Sequence, residues 1–156
     1  MKHLIILAFM GVTLAATAQQ SSQPFEYRPS FSAIVVSNID ASAEWYKKVF
    51  GLTTGKQLIE NNLGVRLVVL ESEKFSIELL EFRGSLARKD LLQGKPEHTE
   101  IQGHFKIGFN VPDMDACLKY LASLQIIVPQ VWTDSKTKKK NFIISDPDGN
   151  RIQFFE

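Results

Sequence analysis

The chain holds one cysteine, Cys117, among 156 residues. An intrachain disulfide is therefore excluded, and stability must come from an apolar core. It lacks a surplus of either charge: 18 Lys+Arg stand against 17 Asp+Glu, which is not the basic excess that nucleic-acid binding draws on. It has no long hydrophobic run beyond Leu4 to Leu14, which is short of the ~20 apolar residues of a membrane helix. What is present is 44% hydrophobic and 22% charged residues. That balance excludes disorder, collagen and coiled coil, and it suits a single buried core.

The apolar run follows Met1-Lys2-His3 and precedes Ala16-Thr17-Ala18 and Gln19-Gln20. Basic start, apolar middle and small-residue cleavage site occur in the order of a secretory signal peptide, assigned to residues 1–18. The mature protein is then expected in a periplasm or outside the cell, with no membrane segment. Removing this segment takes away Lys2 alone and leaves 17 Lys+Arg against 17 Asp+Glu. No cysteine lies near the cleavage site to accept a lipid. Residues 19–30, polar and proline-containing, read as an extended tether.

From residue 31 the chain repeats itself at an offset of 75 positions. Val36-Ser37-Asn38-Ile39-Asp40-Ala41 aligns with Val111-Pro112-Asp113-Met114-Asp115-Ala116, and Ser76-Ile77-Glu78-Leu79-Leu80-Glu81 aligns with Arg151-Ile152-Gln153-Phe154-Phe155-Glu156. One offset holding at both ends of a unit indicates a duplicated module. In the first unit (31–82), alternation predicts a strand over 31–37. A helix capped by Asp40 follows, with Ala43, Tyr46, Val49 and Phe50 inward and Gly51 at its end. Strands at 53–60, 64–71 and 74–82 complete the unit. The second unit (104–156) predicts a strand over 104–111, a helix over 113–124, and strands near 127–133, 141–145 and 150–155. Asp146-Pro147-Asp148-Gly149 forms the last turn. The fold class is α+β, two βαβββ modules forming a cupped mixed sheet. They are joined by a connection over 83–103 whose length suits either a lid or a plain linker.

Alternation also divides the strands into two faces. Ser32, Ile34, Val36, Ile77 and Leu79, with Phe105, Ile107, Phe109, Val111, Ile152 and Phe154, make an apolar face expected under the helices. The opposite face carries Phe31, Ala33, Val35, Glu78 and Leu80, with His104, Lys106, Gly108, Asn110, Arg151, Gln153 and Phe155. A few polar groups among apolar ones form the lining a small-molecule cleft requires. Cys117 shares a helix stripe with Met114, Leu118 and Leu121, which predicts a buried, inert thiol. Lys136-Thr137-Lys138-Lys139-Lys140 reads as a solvated hairpin loop, and Trp45 and Trp132 as packing aromatics.

The run from Val36 through Trp45-Tyr46-Lys47-Lys48-Val49-Phe50-Gly51-Leu52, and the closing Asp146-Pro147-Asp148-Gly149-Asn150-Arg151-Ile152-Gln153-Phe154-Phe155-Glu156, resemble the vicinal oxygen chelate superfamily. Glyoxalase I, fosfomycin resistance enzymes, extradiol dioxygenases and bleomycin resistance proteins belong to it. The resemblance spans about residues 30–156. It implies modules that close their sheets within one chain or across a homodimer, and in the metal-dependent members a divalent ion held from the first and last strand of each module.

Carried onto this chain, those positions are Phe31, Glu78, Lys106 and Gln153. Only Glu78 is an ordinary ligand of that pattern: Phe31 has no lone pair and Lys106 brings a positive charge. The residues thus favour a metal-free cleft in which the Lys106 ammonium compensates Glu78 in place of a cation. The alternative is one Zn, Ni, Mn or Fe ion held by Glu78, His104 and Gln153, with Glu78 also a catalytic proton-transfer group. His98, beside Glu97 and Glu100, reads as a surface residue. Two functions follow. One is an exported protein of bleomycin-resistance type that binds a small molecule through Phe31, Glu78, His104, Lys106, Arg151, Gln153 and Phe155. The other is a metal-dependent lyase, isomerase or dioxygenase.

Overall fold

The structure, a computed structural model, describes residues 31–60, 64–97 and 99–156. The expected signal peptide, the tether and His98 lie outside the described residues. The first module runs β1 (Phe31–Val35), α1 (Ile39–Phe50), β2 (Thr53–Glu60), β3 (Val65–Glu71) and β4 (Ser76–Phe82). A short helix, α2 (Arg88–Leu91), stands in the connection. The second module runs β5 (Lys106–Asn110), α3 (Met114–Ser123), β6 (Val131–Thr133), β7 (Lys140–Ser145) and β8 (Arg151–Phe155). Each module folds into one four-stranded sheet, in the orders β1-β4-β3-β2 and β5-β8-β7-β6. The duplication is visible in the hydrogen-bond register. β1 pairs parallel with β4 from Phe31↔Ser76, and β5 pairs parallel with β8 from Lys106↔Arg151, the same partners displaced by the sequence offset.

Side-chain chemistry explains where these elements begin and bury. The α1 cap is Asn38, whose Oδ1 accepts the Ala41 N–H at 3.0 Å. Asp40, the expected cap, instead sits in the first turn and pairs with Arg66 at 2.9 Å. An acidic residue there still suits the positive helix end. Asp113 caps α3 in the equivalent way, accepting from Ala116 at 2.9 Å. Gly51 ends α1 at φ 65° and donates to the Lys47 carbonyl. Gly51→Ala meets no neighbouring atom within 4 Å, so its expected cost is only that of a left-handed backbone, about 1 kcal/mol. A urea midpoint unchanged by this substitution would show that the cap is not held left-handed.

Ile39, Ser42, Tyr46 and Val49 form the buried stripe of α1, at the spacing of a helix lying on a core. Ile34, Val36, Ile77, Leu79, Ile152 and Phe154 are buried as alternation requires. A chain of rings joins the modules: Phe50 of α1 lies 5.9 Å from Phe154 and 5.0 Å from Phe109, and Phe75 lies 4.9 Å from Phe109. Polar ties cross the same boundary. The Tyr46 hydroxyl donates to Asp146 at 2.9 Å, and the Ser37 N–H donates to Asp148 at 3.0 Å.

Three expectations shift in extent. β1 stops at Val35 and β5 begins at Lys106, so His104 and Phe105 precede the strand. β6 shortens to Val131–Thr133, after Gln125 takes a positive φ of 60° behind α3. Cys117, expected fully buried, is half-buried against the core, and burial pushes its thiol pKa upward, which favours the protonated form. The lysine run folds around Asp134, whose Oδ1 accepts the Lys136 and Thr137 N–H groups. Among the described residues no helix is long and apolar enough to cross a membrane.

On the open face of the second sheet, Gly108 lies beneath Phe155. A methyl group at residue 108 would fall 2.9 Å from the Phe155 ring. The absence of a side chain is what seats the ring there.

Candidate functional site

A cavity of about 450 Å³ opens where β1 meets the starts of β5 and β8. Such a volume lies within the range of small-molecule sites. The edge strand β1 supplies Phe31 to Val35, while His104 to Ile107 and Gly149 to Ile152 supply the other wall. Arg88 reaches it from α2 in the connection, and Tyr46 from α1. The site thus draws on both modules and on the segment between them.

Its chemistry is mixed in a specific way. Ala33, Ile34, Ile107 and Ile152 give an apolar floor, while Arg88, Lys106 and Arg151 bring three cations. The Arg151 guanidinium lies 4.3 Å from the Phe105 ring centroid, a stacking distance for cation and ring. Its Nη2 donates to Glu100 Oε1 at 2.9 Å, and Arg88 Nη2 donates to the other oxygen of the same carboxylate. The hydrogen bond from Arg151 holds the Glu100 carboxyl below the usual carboxylate range, with Arg88 adding to the effect.

Behind the cavity stands the Asp146 turn. Asp146 is buried and accepts from the Tyr46 hydroxyl, the Asp148 and Asn150 N–H groups, and Asn150 Nδ2. Burial, and then the negative charge of Asp146, drive the Tyr46 pKa far above its ordinary value, so Tyr46 acts as a neutral donor. These bonds fix Gly149 and Asn150, which line the cavity.

The structure divides the residues expected at the site. Phe31, His104, Lys106 and Arg151 line the cavity, whereas Glu78, Gln153 and Phe155 are not among its lining residues. Glu78 stands on β4, with Ala33 and Val69 as its cross-strand neighbours. Among the described residues no ion pair joins it to Lys106, whose Nζ lies 5.9 Å from the Phe105 centroid. The expected compensation of Glu78 by Lys106 is therefore corrected. Lys106 lines the cavity, whereas Glu78 does not.

Gln153 is buried, donates Nε2 to Asn141 at 2.9 Å, and leaves Oε1 without a partner among the described residues. Phe155 remains partly exposed over Gly108. The positions implied for a divalent ion thus offer two oxygen donors, Glu78 and Gln153, on different sheets. Among the described residues no three of His, Cys, Asp and Glu gather as ligands. Of the alternative set, His104 lines the cavity while Glu78 and Gln153 lie outside its lining, so the cavity brings together only one of those three donors.

Sequence reasoning missed Arg88 and Glu100. Both lie in a segment without periodicity, and only its length marked it. It also placed Tyr46 in the core without seeing that the hydroxyl ties the modules.

Solved structures share this fold. A glyoxalase family protein from Enterococcus faecalis superposes with a TM-score of 0.72 at 21% identity, covering 83% of this chain and 97% of its own. A lactoylglutathione lyase from Agrobacterium tumefaciens gives 0.59 at 23%, covering 86% and 96%. A fosfomycin resistance protein from Listeria monocytogenes gives 0.63 at 9%, covering 84% and 94%. No curated protein matches the chain. The family model described as Glyoxalase/Bleomycin resistance protein/Dioxygenase superfamily matches residues 29–154, nearly all of both modules and their connection. By that match the chain belongs to the glyoxalase/bleomycin resistance protein/dioxygenase superfamily.

Proposed function

We propose that this chain is a small-molecule binding protein of its superfamily, holding its ligand in the cavity between the modules. The observation that carries this reading is the cavity itself: about 450 Å³, with an apolar floor and polar groups brought from three segments of the chain. That combination orients a ligand while burying most of its surface. The fold alone would not support the reading, because one scaffold hosts many chemistries.

Amide NMR of the protein with a panel of neutral and charged aromatic fragments tests it. The expected result is shifts concentrated at Ser32, His104, Ile107 and Ile152 for at least one fragment. They should vanish in Ala33→Trp, whose indole would fill the space from an exposed position. Shifts scattered over the surface, or unchanged in Ala33→Trp, would overturn the reading.

A further inference from the structure

The cavity is electrically one-sided. Arg88, Lys106 and Arg151 line it, and no Asp or Glu is among its described lining residues. The carboxylate that touches this group, Glu100, stands outside the lining and engages both arginines at once. Three cations against one anion leave a positive surplus in a chain that is otherwise close to neutral.

Arg151 also has unused capacity: its side chain is one-third exposed, and Nη1 has no acceptor among the described residues. A planar guanidinium fork is the group best matched to a carboxylate. Glu100, bridging Arg88 and Arg151, shows that a carboxylate fits this geometry. Beyond the charged rim, Phe31, Phe105, Ile107 and Ile152 offer apolar surface.

We propose that the cavity takes a small organic carboxylate, its head among Arg88, Lys106 and Arg151 and its apolar body between the modules. This rests on the small-molecule reading above and names the ligand's class. It also gives the connection a role: Arg88 is one wall of the site, and Glu100 holds Arg88 beside Arg151.

Calorimetry and amide NMR on the full chain, with 2-naphthoate and its neutral partner 2-naphthamide as probes, provide the test. Naphthoate is expected to bind at least about tenfold more tightly, as an ionic hydrogen bond in a part-buried site allows. Its preference should shrink several-fold between about 20 and 300 mM salt. Arg151→Met should abolish the preference while leaving naphthamide binding in place, which shows that the variant is folded. Lys106→Met, at an exposed position, should weaken naphthoate alone.

Equal affinity for the two probes at low salt would overturn the carboxylate inference and leave the small-molecule reading standing. If neither probe, nor any fragment of the panel, shifts the cavity amides, both fall. A naphthoate preference that survives both substitutions would place the anion elsewhere and overturn the assignment.

Discussion

Asp146→Ala is expected to destabilise the protein by about 3–5 kcal/mol, because it strips the acceptor from several part-buried donors at ~1–3 kcal/mol each, less what water restores. The donors are the Tyr46 hydroxyl, two backbone N–H groups and Asn150 Nδ2. Tyr46→Phe removes one of these bonds and keeps the ring, so about 1–2 kcal/mol is expected. Urea denaturation of both variants and of the double variant measures the coupling directly. Equal midpoints for Asp146→Ala and wild type would show that the turn holds without its carboxylate.

The same pair sets an alkaline limit. Burial and Asp146 raise the Tyr46 pKa in the folded state, while an unfolded tyrosine ionises near pH 10, about its unperturbed value. The folded chain therefore holds a proton that the unfolded chain releases. The stabilisation is complete below about pH 10 and is lost as pH rises beyond it. The melting temperature of wild type should fall above that pH more steeply than that of Tyr46→Phe.

A second large effect is expected at Phe154. Its ring is 5% exposed and lies 5.0 Å from Phe142 and 5.9 Å from Phe50. Truncation to alanine removes a large buried ring and opens a cavity at the junction of the modules, costing about 3–5 kcal/mol. Phe155, the next residue, points the other way and is 37% exposed, so Phe155→Ala should cost under about 1.5 kcal/mol. Because Phe50 belongs to the first module, the loss should be felt by the whole molecule. Fluorescence of Trp45 in α1 and Trp132 in β6, read in single-tryptophan versions, should follow one coincident transition in Phe154→Ala as in wild type. Separate transitions in wild type would mean that the modules unfold independently.

How much of this was written in the sequence depends on the range of the interaction. Strand alternation is a local signal and the 75-residue offset a direct comparison of the chain with itself, and both passed into the structure: Ile77 and Leu79 are buried, and the β1–β4 and β5–β8 registers coincide. Helix ends were legible to within a residue or two. Asn38 and Asp40 are both good capping residues, and only the backbone geometry chooses Asn38. The site was legible only in part. Alternation puts Glu78, Lys106 and Gln153 on open sheet faces, yet says nothing of how one sheet sits against the other. That packing brings Lys106 to the cavity and leaves Glu78 and Gln153 outside its lining. Arg88 and Glu100 were invisible because their partner, Arg151, is distant in sequence and no period governs the connection.

The pairing of Gly108 with Phe155 has a consequence for how a duplicated chain finds its own partners. Two modules of like register can mispair, with β1 taking β8 in place of β4, and tandem repeats are prone to this kind of misassembly. At the position of Gly108 the first module has Ala33, and at the position of Phe155 it has Leu80. A strand β8 laid on β1 would bring the Phe155 ring against the Ala33 methyl, in the place where a methyl at residue 108 would stand 2.9 Å away. The discrimination is one-sided: Leu80 laid over Gly108 would meet no methyl, whereas Phe155 laid over Ala33 would have to shift its ring, which disfavours the pairing of β8 with β1 alone.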